Sequence, residues 1–302
     1  MKTKKALPYI AGLAMAMIFG LSFLFSKQGL ESLTPMVLLG YRFGIAALVL
    51  TVLQLFKVIK VDFKGKPIKG VVALSVFYPA IAFSFETTGL KFISTSQAGI
   101  MVSIMPIFVM IFGILILREH PTTIQKLFIA SSVAGVLITV VFAKSSGKND
   151  NFTGLILILI SIVSGSIHNV LSRKYSKYFT PIEITFSMIC LGAVFFNFIG
   201  VIQGVIAGNL LKSYIAPFTS ASAMGAVAYL GVFASVIAFF CMNFMLSKLL
   251  AVNAAVFTNL ATVISIIAGV AIMREKLCWY QIAGGILIII GVLGTNFYGT
   301  DI

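Results

Sequence analysis

Glu86 is the residue around which the chemistry of this chain turns. It lies inside the apolar segment 77–90 of a chain of 302 residues with only eight Asp or Glu. A carboxylate at membrane depth costs about 2.5 kcal/mol or more on insertion scales, so its retention points to function by default. Such a group can receive a cationic or amino group, carry a proton, or neutralise a neighbouring cation. Arg42 is the cation within reach. It sits about seven residues, roughly 10 Å, from the outer end of its segment, against about four residues, roughly 6 Å, for Glu86. A Glu86–Arg42 bridge is feasible at those depths and would make both residues structural.

Six further residues complete the candidate solute site: Tyr78, Gln97, His168, Asn169, Phe239 and Asn259. Tyr78, Ala82 and Glu86 share a helix face at steps of four, as do Ser164, His168 and Ser172. An imidazole carries protons near neutral pH; a hydrogen-bonded packing histidine is the other reading of His168, and Asn169 divides the same way. Asn259 falls near the middle of its segment, where a buried amide is either a cavity group or a bond between helices. Gln97 and Asn253 stand at equivalent helix starts, which favours a role in the turn. Tyr78, Phe83, Tyr229 and Phe239 offer an aromatic wall. Pro79 and Pro106 each remove a backbone donor and bend the helix that holds them.

These residues need an apolar scaffold, and composition supplies one. Sixty per cent of the residues are hydrophobic and ten per cent charged, against about 25 per cent charged in soluble domains. Mean hydropathy is +1.09. Roughly 20 apolar residues cross a bilayer as a helix. Ten such spans are expected, at 8–27, 35–56, 68–90, 94–117 and 124–143, then 152–172, 181–207, 218–246, 250–273 and 278–298. The first run is read as a permanent span and not as a cleaved leader. The net charge of +14 reflects basic residues between the apolar runs, with no aromatic-interleaved patch, so nucleic acid is not expected as a partner. Their bias of roughly two to one toward the connections on the N-terminal side places both termini in the cytoplasm. Cys190, Cys241 and Cys278 lack metal-ligand spacing and read as packing residues. No phosphate-binding Gly-rich loop occurs, and no cofactor or metal is expected.

The chain repeats itself. A shift of 156 carries Gln97-Ala98 onto Asn253-Ala254, Arg118-Glu119 onto Arg274-Glu275, Gln125 onto Gln281, and Gly135-Val136 onto Gly291-Val292. Further upstream, a shift of 146 carries Ser26-Lys27 onto Ser172-Arg173 and Pro35 onto Pro181. The expected units are 1–146 and 152–302, joined by the polar stretch 144–151. Each holds five spans, an odd number, so the second copy enters the membrane inverted. The fold class is therefore an all-α integral membrane protein of ten helices in two inverted five-helix repeats. Such repeats mark many alternating-access transporters, with the solute site near midplane between them. Glu86 aligns with Met242, Arg42 with Met188 and His168 with Ser22; each breaks the symmetry, which favours a solute-specific role. Glu119 and Glu275 are read as serving the positive N-terminal end of the next helix.

At these motifs the chain resembles the drug/metabolite transporter superfamily, in its ten-helix EamA type. A small-residue helix with Pro106, then Arg118-Glu119, Gln125 and Gly135-Val136, recurs as Arg274-Glu275, Gln281, Gly284 and Gly291-Val292. Phe19-Gly20 and Arg42-Phe43 also suit the pattern, whereas Thr262 stands where the family often has proline. The resemblance implies a secondary transporter that moves small metabolites, amino acids or amphipathic drugs by alternating access, as an exporter in the cytoplasmic membrane. It also implies a central cavity lined by the first, third, fourth, sixth, eighth and ninth helices. The expected partners are a small-molecule solute, the lipid bilayer and a coupling proton. A passive pore is the main competing reading, and an intramembrane enzyme a more distant one.

Overall fold

In lipid, only intrahelical bonding satisfies every backbone donor and acceptor of a single span, and the apolar runs fold accordingly. The computed structural model describes residues 2–118, 122–145, 149–249 and 251–298. Among these, α1 covers Lys2–Leu30, α2 Pro35–Leu55, α3 Ile68–Gly89, α4 Thr95–Leu117 and α5 Thr123–Ser145. The second set is α6 Asn149–Tyr175, α7 Pro181–Ile206, α8 Ala221–Lys248, α9 Ala251–Ala271 and α10 Trp279–Phe297. By length and composition, seven stretches, in α1–α4 and α6–α8, suffice to cross a membrane. Shorter apolar helices in α9 and α10 extend the set. The expected spans lie within a few residues of these helices, except that α1 begins at Lys2 instead of residue 8. A short helix Leu210–Ile215 and a 3-10 turn Ala216–Thr219, not foreseen, fill the α7–α8 connection.

Side chains set the helix ends. Ser94 Oγ accepts from Gln97 N at the start of α4 (3.1 Å), and Thr180 and Glu183 cap each other's backbone N–H at the start of α7. The α4 exit turns through Arg118 at φ 58°, and its repeat mate Arg274 has φ 54°. This left-handed position usually takes glycine, so its recurrence on arginine is a shared feature of the two repeats.

Three helices are interrupted, two of them at the prolines the sequence singled out. In α3 the backbone leaves helical geometry at Tyr78 (φ −145°, ψ 108°), just before Pro79 and within a π-helical turn over Val76–Ile81. The expected single face of Tyr78, Ala82 and Glu86 therefore does not form, and Ala82 is fully buried. In α4 the helix breaks after Val102 and restarts at Met105, with Pro106 in its first turn. A π-helical stretch, Tyr229–Ile237, interrupts α8.

The packing shows the inversion directly. Along α2 and α7, Met36 lies against Gly200, Asn197 Nδ2 donates to Gly40 O (3.0 Å), and Phe43 packs on Gly192. One index rises as the other falls, so these mates run antiparallel. The same holds for α4 and α9, where Ser265 Oγ donates to Thr95 O and Ser103 Oγ to Thr262 Oγ1. It holds again for α5 and α10, where Phe142 meets Trp279 and Phe128 meets Tyr298. In all three pairs the equivalent helices of the two repeats thus point in opposite directions. Between these outer pairs, α1 lies along α8 and α9, and α6 along α3 and α4.

Candidate functional site

The α1–α8–α9 group and the α3–α4–α6 group enclose a central cavity with about 760 Å³ of atom-free space, including its mouth. Met15, Phe19, Ser22 and Phe23 line it from α1; Tyr78, Phe83 and Glu86 from α3; Val102 and Met105 from α4. From the second repeat come Ser161, Ile162, Gly165 and Asn169 of α6, Met242, Met245 and Leu246 of α8, and Ala254, Thr258 and Ala261 of α9. These are the six helices the family resemblance implied. Many lining positions are repeat mates: Met15 with Ser161, Phe19 with Gly165, Phe23 with Asn169, Glu86 with Met242, and Val102 with Thr258.

Of the sequence candidates, Glu86, Tyr78 and Asn169 reach this wall. Glu86 is half-buried there. Among the described residues no hydrogen bond or ion pair reaches its carboxylate; their one ion pair is Lys66–Glu183 at 2.6 Å. The feasible Glu86–Arg42 bridge is therefore not made. Arg42 is fully buried behind the wall, its guanidinium 4.2 Å above the Phe83 ring, with Nε donating to Ser235 Oγ (2.9 Å). An aromatic layer surrounds it in place of a carboxylate, and among the described residues its buried Nη2 has no hydrogen-bond partner.

Three other candidates also fall outside the wall. His168 is wholly buried, with Nδ1 3.2 Å from Leu74 O and its ring 5.1 Å from Tyr78, because its face of α6 turns to α3 and α8. Ser164 and Ser172 follow that face, bonding Phe77 O and Asn243 Oδ1. Phe239 is fully buried behind Tyr78 and Phe83, at 5.5 and 5.8 Å between ring centroids. Gln97 is buried in the first turn of α4 with its Nε2 unbonded. Tyr229, also expected in the wall, instead stacks on Phe25 and donates to Ile18 O. The Asn259 side chain lies outside the described residues.

Sequence reading missed Ser161, Ser22, Thr258 and the methionines. A signal existed for Ser161, since Ser161, Gly165 and Asn169 fall at steps of four on the face adjacent to His168. For Met242 the signal was its alignment with Glu86. Thr262, where the resemblance led one to expect proline, bonds α9 to α4: it accepts from Ser103 Oγ and donates to Gly99 O, both at 2.9 Å.

The two ends of the cavity carry matched contacts. Lys27 Nζ, at the end of α1, donates to Leu90 O (2.9 Å) and Ile93 O (2.5 Å) in the α3–α4 turn. Its mate Arg173, at the end of α6, donates to Leu246 O (3.3 Å) and Ser247 O (3.2 Å) in the last turn of α8. Each contact crosses from one helix group to the other. Near Lys27, Glu275 accepts from Thr95 N (2.8 Å), Ser96 N (2.9 Å) and Ser96 Oγ (2.5 Å). It caps α4 in the opposite repeat, and not the next helix α10 as expected. Glu119, its mate, lies outside the described residues.

Comparison with known proteins agrees with this architecture. The model of the EamA-like transporter family matches residues 6–141 and again 152–297. The chain is 38% identical over 288 residues to the "uncharacterized transporter YcxC" of Bacillus subtilis (strain 168), covering 95% of this chain and 92% of that protein. It is 26% identical to an "uncharacterized transporter" of Archaeoglobus fulgidus, covering 93% and 95%. The "uncharacterized inner membrane transporter YedA" of Escherichia coli (strain K12) is 24% identical, covering 98% and 93%. A solved protein crystal structure shares the fold with a TM-score of 0.69 over 96% of each chain, at 18% identity. With both repeats matched by one family model, the chain is a multi-pass membrane protein that belongs to the EamA-like transporter family.

Proposed function

We propose that the protein is a secondary transporter that exports small metabolites, amino acids or amphipathic drugs across the cytoplasmic membrane by alternating access, with both termini in the cytoplasm. The observation that carries this reading is one cavity walled by mated helices of both repeats and bridged at each end by a mated contact, Lys27 and Arg173. Opening at one face requires one bridge to part while the other holds, which is what two inverted copies provide. Glu86 is assigned to the solute or to a coupling proton, since it enters the cavity without a counter-ion bond. Tyr78 and Asn169 join it as wall contacts. His168 and Phe239 support the wall from behind. Arg42, held by the aromatic layer, is structural.

The experiment is flux in proteoliposomes. A carrier gives saturable uptake that solute on the far side accelerates. Linear uptake, indifferent to solute on the far side, would establish a pore instead. Within that assay, Glu86→Gln should remove the pH dependence of exchange while the protein stays folded. An unchanged pH profile would free Glu86 of the coupling role.

A further inference from the structure

Repeat symmetry gives the cavity matched positions, and the sequence fills them unequally. Along α1 the wall carries Met15 and Phe19, where α6 presents Ser161 and Gly165. In α3 it carries Glu86, where α8 presents Met242. Because α6 packs on α3 and α1 on α8, Glu86, Ser161 and Asn169 gather on one side and Met15, Phe19 and Met242 on the other, where Ser22 and Thr258 are the polar members. The register between α3 and α6 is antiparallel. Gly89 lies against Gly154 and Ile158, and Ser164 bonds Phe77 O, which sets Glu86 opposite the turn of α6 that leads to Ser161. The cavity is thus built on a symmetric frame but polarised in its chemistry.

Its charge is equally one-sided. Among the described residues that line it, Glu86 is the acidic member and there is no Lys, Arg or His. Arg42, the nearest buried cation, is kept out of the wall by the Phe83 ring and Ser235.

We infer that the cavity selects a monovalent amphipathic organic cation, an amine joined to an aryl or alkyl body, over the α-amino acid and the carboxylic acid with the same body. The inference rests on the transporter reading only in taking this cavity as the solute site. The ammonium group meets the Glu86 carboxylate, with Tyr78 and Ser161 in the same wall. The body lies among thioethers, which adapt to varied shapes. A solute carboxylate would find no cationic partner in the wall, and an unpaired buried charge is strongly disfavoured.

Phenethylamine, phenylalanine and 3-phenylpropionate share a body and differ in charge, and they make the test. Binding of each to the purified full chain in detergent is measured by calorimetry, and exchange of each in proteoliposomes. The amine is expected to bind about 30-fold or more tightly than either carboxylate-bearing solute, and Glu86→Gln to lose about 30-fold of that affinity. Glu86→Asp should keep the ranking. Equal binding of the three solutes, absence of amine binding, or an unchanged affinity in folded Glu86→Gln would overturn the inference. If Glu86→Gln does not fold, the wild-type ranking decides alone. Amine binding without exchange would sink the transporter reading and leave the selectivity standing; exchange of phenylalanine in preference to the amine would do the reverse.

Discussion

Glu275 shows how a single carboxylate joins the two repeats. Three donors converge on it from the first turn of α4, where the free N–H groups and the helix dipole favour a negative charge. Sequence reading gave it a capping role but chose the wrong helix, because proximity along the chain says nothing about which helix start folds back onto it. Glu275→Gln keeps one acceptor and turns an amide donor toward the backbone N–H groups. The expected cost is about 1–2 kcal/mol, seen as a melting temperature lowered by about 2–4 °C in detergent. An unchanged melting curve would mean that the cap contributes nothing to cohesion between the repeats. Arg42 makes the opposite prediction. Among the described residues, Arg42 has no carboxylate within bonding distance and a buried Nη2 without a partner, and an unpaired buried charge carries a desolvation cost that an apolar group of similar size does not. Arg42→Met should therefore leave the melting temperature level or higher, and solute affinity within about threefold. A loss of affinity near 30-fold would bring Arg42 back to the solute.

At the level of elements, the two bridges are the features to perturb. Lys27 ties α1 to the α3–α4 turn and Arg173 ties α6 to the last turn of α8, at opposite ends of the same cavity. Each donates to helix-terminal carbonyls, where a cation is favoured. Losing such a contact is worth about 1.5–3 kcal/mol, enough to shift a two-state population about 10-fold or more. A cysteine introduced as Thr258→Cys, with the three native cysteines replaced, reports which face is open. Lys27→Met should raise its labelling by impermeant reagent from one side of the membrane, and Arg173→Met from the other. Enhancement from the same side in both variants would separate the bridges from gating. The close approach of α1 to α9 adds a packing limit: a Cβ on Gly20 would sit 2.7 Å from Ala261 O and 2.6 Å from Ile264 Cβ. These contacts also mark what the sequence could tell. The mated positions of Lys27 and Arg173 were plain in the alignment, as were most helix limits. The carbonyls they bind were hidden, because a backbone acceptor leaves no mark in residue type. The break at Tyr78 was announced by Pro79, but its effect on the face shared with Glu86 depended on how the backbone recovered. His168 takes the packing role of its two readings and lies one position round from the cavity face, since Ser164, His168, Ser172 and Ser161, Gly165, Asn169 are equally regular patterns and only packing decides which of them faces the cavity.

For the whole molecule the governing fact is that three of the five equivalent helix pairs lie side by side and antiparallel. The α2–α7, α4–α9 and α5–α10 contacts each reverse direction. Two neighbouring helices that cross one bilayer in opposite senses present their starts to opposite faces, so every connection in one repeat lies across the membrane from its mate. The arrangement was legible from an odd number of spans per repeat, but that inference fails if one span is miscounted. The antiparallel contacts do not depend on the count. The antiparallel α2–α7 contact puts the start of α7 on the face where α2 ends, so the α5–α6 connection, at the other end of α6, lies on the face opposite the α2–α3 connection. Lys60→Cys and Ser146→Cys, in a background without native cysteines, place a probe in each. With both termini cytoplasmic, Ser146→Cys should react with an impermeant maleimide in intact cells, and Lys60→Cys only after the membrane is opened. Reaction of Lys60→Cys alone in intact cells would keep the inverted repeats and reverse the molecule in the membrane. Reaction of both from one face would break the inversion, and with it the central cavity as a chamber shared by two opposed halves.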